Sequence, residues 1–145
     1  MGKIKFIFLS EKFYEEYSND NYPEIALKPN RPYIQICLEI DGVLFAIPLR
    51  SNIEHPFAVW TNKKKHCGAD LSKTVVLKDD TYIDTTNQPY IRQDEFDALR
   101  GKDYTLKKKL KGYIEKYKNA RQNITDARNA NIVKCSTLQY FEDYI

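Results

Sequence analysis

An Asp-Gly pair, Asp41 and Gly42, constrains the fold of this chain more than any other feature. The pair separates two runs, residues 33–40 and 43–49, that are rich in β-branched, aromatic and other large apolar residues. Asp and Gly tolerate the positive φ angles that a two-residue type I′ turn requires. The sequence therefore predicts an antiparallel β-hairpin over residues 33–49.

The second strand of this hairpin contains Pro48. Proline has no N–H group and cannot donate a hydrogen bond to a neighbouring strand. We therefore expect the strand to fray near Pro48, or to lie at the edge of its sheet there. Either arrangement would free Arg50 and Ser51 from regular pairing.

The rest of the chain is typical of short strands followed by helices. Alternating or continuous apolar runs predict strands at residues 3–10, 57–61 and 74–77, with a last short one at 82–83. Ser10 begins a short helical pattern, and three prolines make residues 21–32 irregular. Several short strands joined by tight loops favour a small β-barrel. No repeat or linker divides the chain, so we expect one domain over residues 1–145.

Helices predominate after residue 93. Asp94 and Glu95 are typical of a helix start, and Gly101 is typical of a stop. A long helix is predicted over residues 103–122, because large apolar residues recur there on one face. Residues 123–131 are polar and predict a loop, after which Ser136 is expected to cap a terminal helix. The fold class is thus α+β.

The composition excludes several classes of protein. A chain of 145 residues with 42% apolar residues can bury one core. Its three cysteines are far apart, which argues against a disulfide scaffold or structural zinc and favours a reducing cytoplasm. No apolar run approaches the roughly 20 residues that span a bilayer, and the first residues lack a signal-peptide core. We expect a soluble cytoplasmic protein without a membrane partner.

Three residues that suit phosphoryl chemistry on RNA, Arg50, Ser51 and His55, follow the hairpin. A guanidinium can hold a phosphate through two hydrogen bonds, and an imidazole can transfer protons near neutral pH. The same residues are also ordinary turn composition, and a histidine before proline often only hydrogen-bonds its neighbours. Motifs of nucleotide-binding loops, zinc proteases and nucleophile elbows do not occur. We expect neither a metal nor a cofactor.

Basic residues form two further candidate groups. Residues 63–68 predict an exposed basic loop that could steer phosphates, and Gly68 permits a sharp turn there. Lys73 is a candidate to neutralise a phosphate. Three lysines lie along one flank of the long helix, although such a run is usually only a solvated face. The candidate RNA-binding residues are Lys63, Lys64, Lys65, His66, Lys73, Lys107, Lys111 and Lys118.

Four segments in about the first two-thirds of the chain carry a family resemblance. They are Phe13-Tyr14-Glu15-Glu16-Tyr17, Arg31-Pro32-Tyr33-Ile34 leading to Leu38-Glu39-Ile40-Asp41-Gly42, Ala46-Ile47-Pro48-Leu49-Arg50-Ser51 with His55, and Gly68-Ala69-Asp70-Leu71-Ser72-Lys73-Thr74-Val75-Val76. In this order the chain resembles the toxins of type III toxin–antitoxin systems, the ToxN and AbiQ group. It is most similar to the CptN and TenpN branch of that group.

The resemblance implies a compact SH3-like β-barrel, similar to the MazF and Kid toxins, with added helices that include a long one in the C-terminal half. It implies an endoribonuclease that needs no metal and leaves a 2′,3′-cyclic phosphate and a 5′-hydroxyl. It also implies a partner, an RNA antitoxin of short repeats folded as pseudoknots. The toxin would cut these repeats from a precursor and be inhibited by them in a toxin–RNA hetero-oligomer.

The ToxN branch has a Thr-Ser pair and a nearby lysine at the end of this strand, whereas this chain has Arg50 and Ser51 and no lysine before His55. We carry over Ser51 as catalytic from the resemblance, and expect Arg50 to clamp the phosphate and His55 to shuttle protons. Arg31 and Tyr33 are expected to help hold the RNA. Two alternatives remain open: a non-catalytic RNA-binding module, and a protein-interaction domain that uses surface tyrosines.

Overall fold

The frame of this α+β protein is a six-stranded antiparallel sheet, seen in a computed structural model that describes residues 4–27 and 32–145. The strands are β1 (Lys5–Ile7), β2 (Gln35–Ile40), β3 (Val43–Arg50), β4 (Ala58–Asn62), β5 (Cys67–Asp70) and β6 (Val75–Val76). Their order is β1-β2-β3-β5-β4, and β6 also pairs with β3. Within the described residues the end strands β1 and β4 do not pair with each other, so the sheet is not closed into a barrel.

The predicted hairpin is confirmed. Strands β2 and β3 pair in antiparallel register from Ile40 opposite Val43 to Gln35 opposite Pro48. The turn residues Asp41 and Gly42 have φ angles of 51° and 82°, as the type I′ geometry requires. This hairpin places the end of β3 beside β5.

The predicted fraying at Pro48 is wrong, because β3 continues to Arg50, which pairs with Gly68 of β5. The alternative, that β3 lies at a sheet edge at Pro48, is confirmed, because neither β6 nor β5 pairs with this residue. The N–H of Leu49 donates to the carbonyl of Ile34 in the direction of β2. Since successive residues of a strand face opposite neighbours, the nitrogen of Pro48 faces away from β2. On that side β6 has already ended and β5 has not yet begun, so the missing N–H leaves no bond unmade.

Strand β5 is the main element that the sequence did not predict. Residues 63–68 predict a loop and Gly68 a sharp turn, yet β5 begins at Cys67 and pairs with both β3 and β4. A Cβ atom at Gly68 would lie only 2.4 Å from the carbonyl oxygen of Val59. Gly68 therefore serves the close approach of β4 and β5.

Three of the helices agree with the sequence. They are α1 (Glu11–Glu16), α2 (Gln93–Leu99) and α3 (Asp103–Gln122). Ser10 caps α1, because its side chain accepts a hydrogen bond from the N–H of Phe13. Gly101 has a φ of 73° and separates α2 from α3. The predicted apolar face of α3 is buried through Leu106, Leu110, Tyr113, Ile114 and Tyr117.

The predicted loop over residues 123–131 is wrong in its second half, because α4 (Ala127–Cys135) begins there. The carboxylate of Asp126 accepts hydrogen bonds from the N–H groups of Arg128 and Asn129 and caps this helix. Ser136 does act as a cap, through a 3.1 Å hydrogen bond from the N–H of Leu138. It begins a 3-10 turn, Thr137–Tyr140, rather than the predicted terminal helix.

The core lies between the sheet, α1, α3 and the C-terminal segment. Four aromatic rings pack there, those of Phe13, Tyr17, Tyr82 and Phe141. Their contacts fix the C-terminal segment against the start of the chain. None of the helices in the described ranges is both long enough and apolar enough to cross a bilayer.

Candidate functional site

Arg50, the last residue of β3, is held by a buried carboxylate. Its Nη1 atom lies 2.6 Å from Oδ2 of Asp70, the last residue of β5. The Asp70 side chain is completely inaccessible to solvent, whereas that of Arg50 is 28% exposed. The pairing of β3 with β5 sets this contact, because Arg50 lies opposite Gly68, two residues before Asp70.

The other oxygen of Asp70, Oδ1, accepts hydrogen bonds from Ser72 and His55. The Ser72 N–H and hydroxyl donate at 3.0 Å and 2.6 Å, and Nε2 of His55 lies at 3.1 Å. Burial alone would raise the pKa of Asp70, but the hydrogen bonds from His55, Ser72 and Arg50 outweigh it and hold the pKa below its ordinary value. Asp70 is therefore a carboxylate at neutral pH and joins Arg50 to His55.

The imidazole of His55 is bonded through both ring nitrogens. Nδ1 accepts a 3.0 Å hydrogen bond from the N–H of Phe57, so in the neutral ring the proton is on Nε2, which faces Asp70. The hydroxyl beside His55 is that of Ser72, 3.1 Å from Nε2, and not that of Ser51. The structure thus brings together Arg50 and His55, two of the three residues predicted from the sequence.

Arg50 and Ser51 line a cavity of about 510 Å³ at the end of β3. Ser51 is exposed, and its hydroxyl has no hydrogen-bond partner within residues 4–27 and 32–145. Further lining residues come from an irregular segment and from α2: Gln88, Tyr90, Arg92 and Glu95. His55 is not among the described residues that line this cavity.

Tyr33 lies beside the guanidinium of Arg50, whose central carbon is 5.8 Å from the centre of the Tyr33 ring. Burial would lower the pKa of Arg50, but hydrogen bonds with Tyr33 and Asp70 raise it, so the side chain stays charged. Tyr33, a predicted RNA-binding residue, therefore lies next to Arg50. Arg31 lies outside the described residues.

The predicted basic loop lies in the turn between β4 and β5. Lys63, Lys64 and Lys65 are exposed there. His66 adopts a φ of 56°, and its Nδ1 atom lies 2.9 Å from the carbonyl oxygen of Ile53. This bond ties the basic turn to the segment that follows Ser51.

Lys73 and the predicted helix lysines differ in their surroundings. The Nζ atom of Lys73 is 2.8 Å from a Glu24 carboxylate oxygen and 3.1 Å from the Cys135 carbonyl, so its charge is already paired. Lys111 and Lys118 line a groove that also contains Asp41 and Glu115, which balance their charge. Lys107, on the same helix, is half-buried.

Sequence reasoning assigned no role to Asp70, which organises this site, nor to the irregular segment that carries Tyr90. Asp70 stood in a recognised motif, and the Ser72 N–H bond to its side chain is a common local turn of aspartate. That pattern indicated a turn. Its bonds to Arg50 and His55 join residues that are 20 and 15 positions apart in the sequence. The first depends on the pairing of β3 with β5 and the second on the path of the irregular segment before β4, and no local pattern predicts either.

Neither a metal-binding cluster in the described residues nor a similar known protein identifies this site. No group of three or more His, Cys, Asp or Glu side chains that could hold a metal ion occurs in the described ranges. No protein-family model, curated protein or solved structure matches this chain. The family resemblance given above therefore stays a prediction.

Proposed function

We propose that this protein is a cytoplasmic endoribonuclease toxin of a type III toxin–antitoxin system. The observation that carries the proposal is the anchored Arg50: a buried Asp70 fixes its guanidinium, and Arg50 and Ser51 line the same cavity. A fixed cation and a free hydroxyl at one cavity suit the oxygens of a phosphodiester. The family and the RNA substrate named in this proposal come from the sequence resemblance, which depends on the order of the motifs.

The proposed reaction is an internal transesterification. The ribose 2′-oxygen attacks the adjacent phosphorus and loses its proton while the bond from phosphorus to the 5′-oxygen breaks. The products are a 2′,3′-cyclic phosphate and a 5′-hydroxyl that has gained a proton. Arg50 stabilises the charge that develops on the non-bridging oxygens, and the hydroxyl of Ser51 donates a hydrogen bond to one of them. No metal takes part in this scheme.

Asp70 acts in this scheme as a positioning residue, because it is buried and touches no substrate. It holds Arg50 with one oxygen and His55 with the other. The prediction that His55 shuttles protons requires one of its two nitrogens to exchange its present partner for the RNA. Nδ1 is the better candidate, since its bond goes to a single backbone N–H.

The finer fold that we propose is a small SH3-like barrel of the MazF and Kid type. Strand β3 supports it, because this one strand pairs with β2 along its length and with β6 and then β5 on its other side. A strand shared in this way lets a sheet curve around it. The proposed partners are a pseudoknot RNA antitoxin and target RNA, which the exposed lysines of residues 63–65 would meet in a toxin–RNA assembly.

The test is cleavage of RNA by purified protein in the presence of a chelator. We expect fragments whose 3′ ends are cyclic phosphates and whose 5′ ends accept phosphate from a kinase without prior dephosphorylation. Ser51→Ala should lower the cleavage rate at least about 100-fold, and Thr125→Ala, at another exposed hydroxyl, should not change it. RNA that shifts in mobility but keeps its length would overturn the enzyme proposal in favour of a non-catalytic RNA-binding module.

A further inference from the structure

A second cavity, distinct from the one at Ser51, lies between α3 and the segment after His55. Its volume is about 500 Å³, within the range of roughly 300–1,000 Å³ that is usual for ligand sites. We call it the Phe57 groove, and the lining residues that matter here are Phe57, Tyr104, Lys108, Lys109, Gly112 and Lys116. Its position links it to the site above, because the ring of Phe57 is 5.6 Å from that of His55 and its N–H bonds to the same histidine.

The charge of the Phe57 groove is unbalanced. Three lysines line it, and no carboxylate does among the residues that the structure describes. None of Lys108, Lys109 and Lys116 makes an ion pair within the described ranges. The groove on the opposite flank of α3 contains two lysines and two acidic residues. The lysine flank that sequence analysis selected is therefore the neutral one, and the flank of Lys108 and Lys116 is the cationic one.

The groove also presents aromatic rings. Tyr104 is 75% exposed, and Lys116 lies over the ring of Phe57 with its Nζ atom 5.8 Å from the ring centre. An exposed ring beside unpaired cations is the combination that binds single-stranded nucleic acid, because bases stack on the ring while lysines contact the phosphates. A duplex hides its base faces and would gain only the lysine contacts.

Gly112 keeps this groove open. It lies near the middle of α3, where glycine is a poor helix former, and a Cβ atom added there would meet nothing within 4 Å. A Cβ atom at this position would therefore meet open space, and an unbranched or γ-branched side chain such as leucine would extend from there into the groove. We propose that the Phe57 groove binds an unpaired RNA segment, with bases on Tyr104 and phosphates at Lys108 and Lys116. This inference rests on the proposed function and extends its substrate site beyond the scissile phosphate.

The test measures binding without cleavage. The probe is a fluorescein-labelled single strand of about ten nucleotides, methylated at every 2′-oxygen so that transesterification cannot occur, and the readout is fluorescence anisotropy. Gly112→Leu should fill the groove and weaken binding at least tenfold, whereas Asn119→Leu, on the same helix but outside the groove, should leave the affinity within twofold. Unchanged binding by Gly112→Leu overturns the proposal, as does a wild-type protein that fails to bind the probe at low salt.

Two further variants separate stacking from charge. Tyr104→Ala should weaken binding of the single strand about tenfold and leave binding of a methylated duplex unchanged. Lys108→Ala with Lys116→Ala should lower the slope of log affinity against log salt by about 1.4, since each phosphate contact contributes about 0.7. Lys102→Ala with Lys134→Ala removes the same charge outside the groove and should not change the slope. An equal decrease of this slope in both double variants would contradict the proposed binding site in the groove.

The binding test of the Phe57 groove and the cleavage test of the proposed function can fail separately. If the groove variants weaken binding while unmodified RNA is never cut, the proposed function fails and the groove stands. If wild-type protein cuts RNA while the groove variants bind the probe normally, the groove fails and the proposed function stands.

Discussion

The guanidinium of Arg50 is anchored 2.6 Å from the carboxylate of Asp70, a side chain that solvent does not reach. The two residues end neighbouring strands, so their contact depends on the register of β3 with β5. A buried carboxylate of this kind is costly unless it is paired. The fold and the candidate site therefore share one interaction.

Asp70→Asn should destabilise the protein and reduce cleavage together. The amide keeps the shape of the side chain but leaves the partly buried guanidinium of Arg50 without a counter-charge, which costs about 3 kcal/mol. For a chain of this size we expect the thermal midpoint to fall by about 10 °C. Asp143→Asn, at an exposed carboxylate, is the matched control. A midpoint equal to that of the wild type would show that the ion pair adds nothing.

As the pH is lowered below about 4, the free energy of unfolding should decrease more steeply for the wild type than for Asp70→Asn. The pKa of Asp70 is lowered in the folded protein, while the unfolded value is about 3.9. The unfolded chain therefore binds more protons as the pH falls through this value, and the stability is lost on approach to the folded pKa. Asp79 and Asp84 also have lowered pKa values, but both remain in the variant. Chemical denaturation at a series of pH values gives the difference, and parallel curves would contradict the prediction.

Substitution by alanine should affect mainly the cleavage rate at Ser51 and mainly the stability of the fold at Ser72. Ser51 is exposed, so Ser51→Ala should change the free energy of unfolding by less than about 0.5 kcal/mol and lower the cleavage rate at least about 100-fold. Ser72 is buried and bonded to Asp70, so Ser72→Ala should cost about 1–2 kcal/mol. Denaturation and single-turnover cleavage of both variants provide the comparison. Full activity of Ser51→Ala would remove Ser51 from the mechanism.

His55→Asn separates proton transfer from positioning. Asparagine retains an acceptor for the N–H of Phe57 but cannot take up a proton in this pH range. If His55 shuttles protons, as the sequence predicts, this variant should lose at least about 100-fold in rate and one limb of its pH–rate profile. His55→Ala should lose the same activity and also some stability. A His55→Asn enzyme within tenfold of the wild type would instead make His55 a positioning residue.

Alanine should have opposite effects at two glycines. At Gly68 the new Cβ would collide with the carbonyl of Val59, so Gly68→Ala should cost about 2–3 kcal/mol by forcing β4 from β5. At Gly112 the Cβ enters open space in a helix, so Gly112→Ala should stabilise the protein by up to about 1 kcal/mol. Thermal denaturation measures both. A tolerated Gly68→Ala would mean that the two strands can separate without loss.

Sequence reasoning succeeded where the signal is local. The β2–β3 hairpin follows from two turn residues, and the bounds of α3 follow from an apolar repeat with 3.6 residues per turn. It failed at β5, which is only four residues long and includes a glycine and an aspartate, both uncommon in strands. The pairing of β5 with β3 and β4 on both sides overrides that weak propensity.

The candidate site was predicted in part for the same reason. Arg50, Ser51 and His55 lie within six positions of one another, so their proximity could be expected from the chain alone. The partner of Arg50, Asp70, is twenty positions away, and the cavity wall at Tyr90 comes from a segment without regular structure. Contacts of this kind arise from the assembled sheet and leave no periodic trace in the sequence.

The buried position of Asp70 has a consequence for genetics. If expression of this protein kills its host, survivors of a mutagenesis screen would carry changes at Asp70 or Gly68 as readily as at Ser51. The first class would lose potency because the pairing of β5 with β3 or β4 weakens, and the second because the reaction itself stops. The soluble yield and protease resistance of each escape mutant would distinguish the two classes. Only the second class would identify side chains that contact RNA.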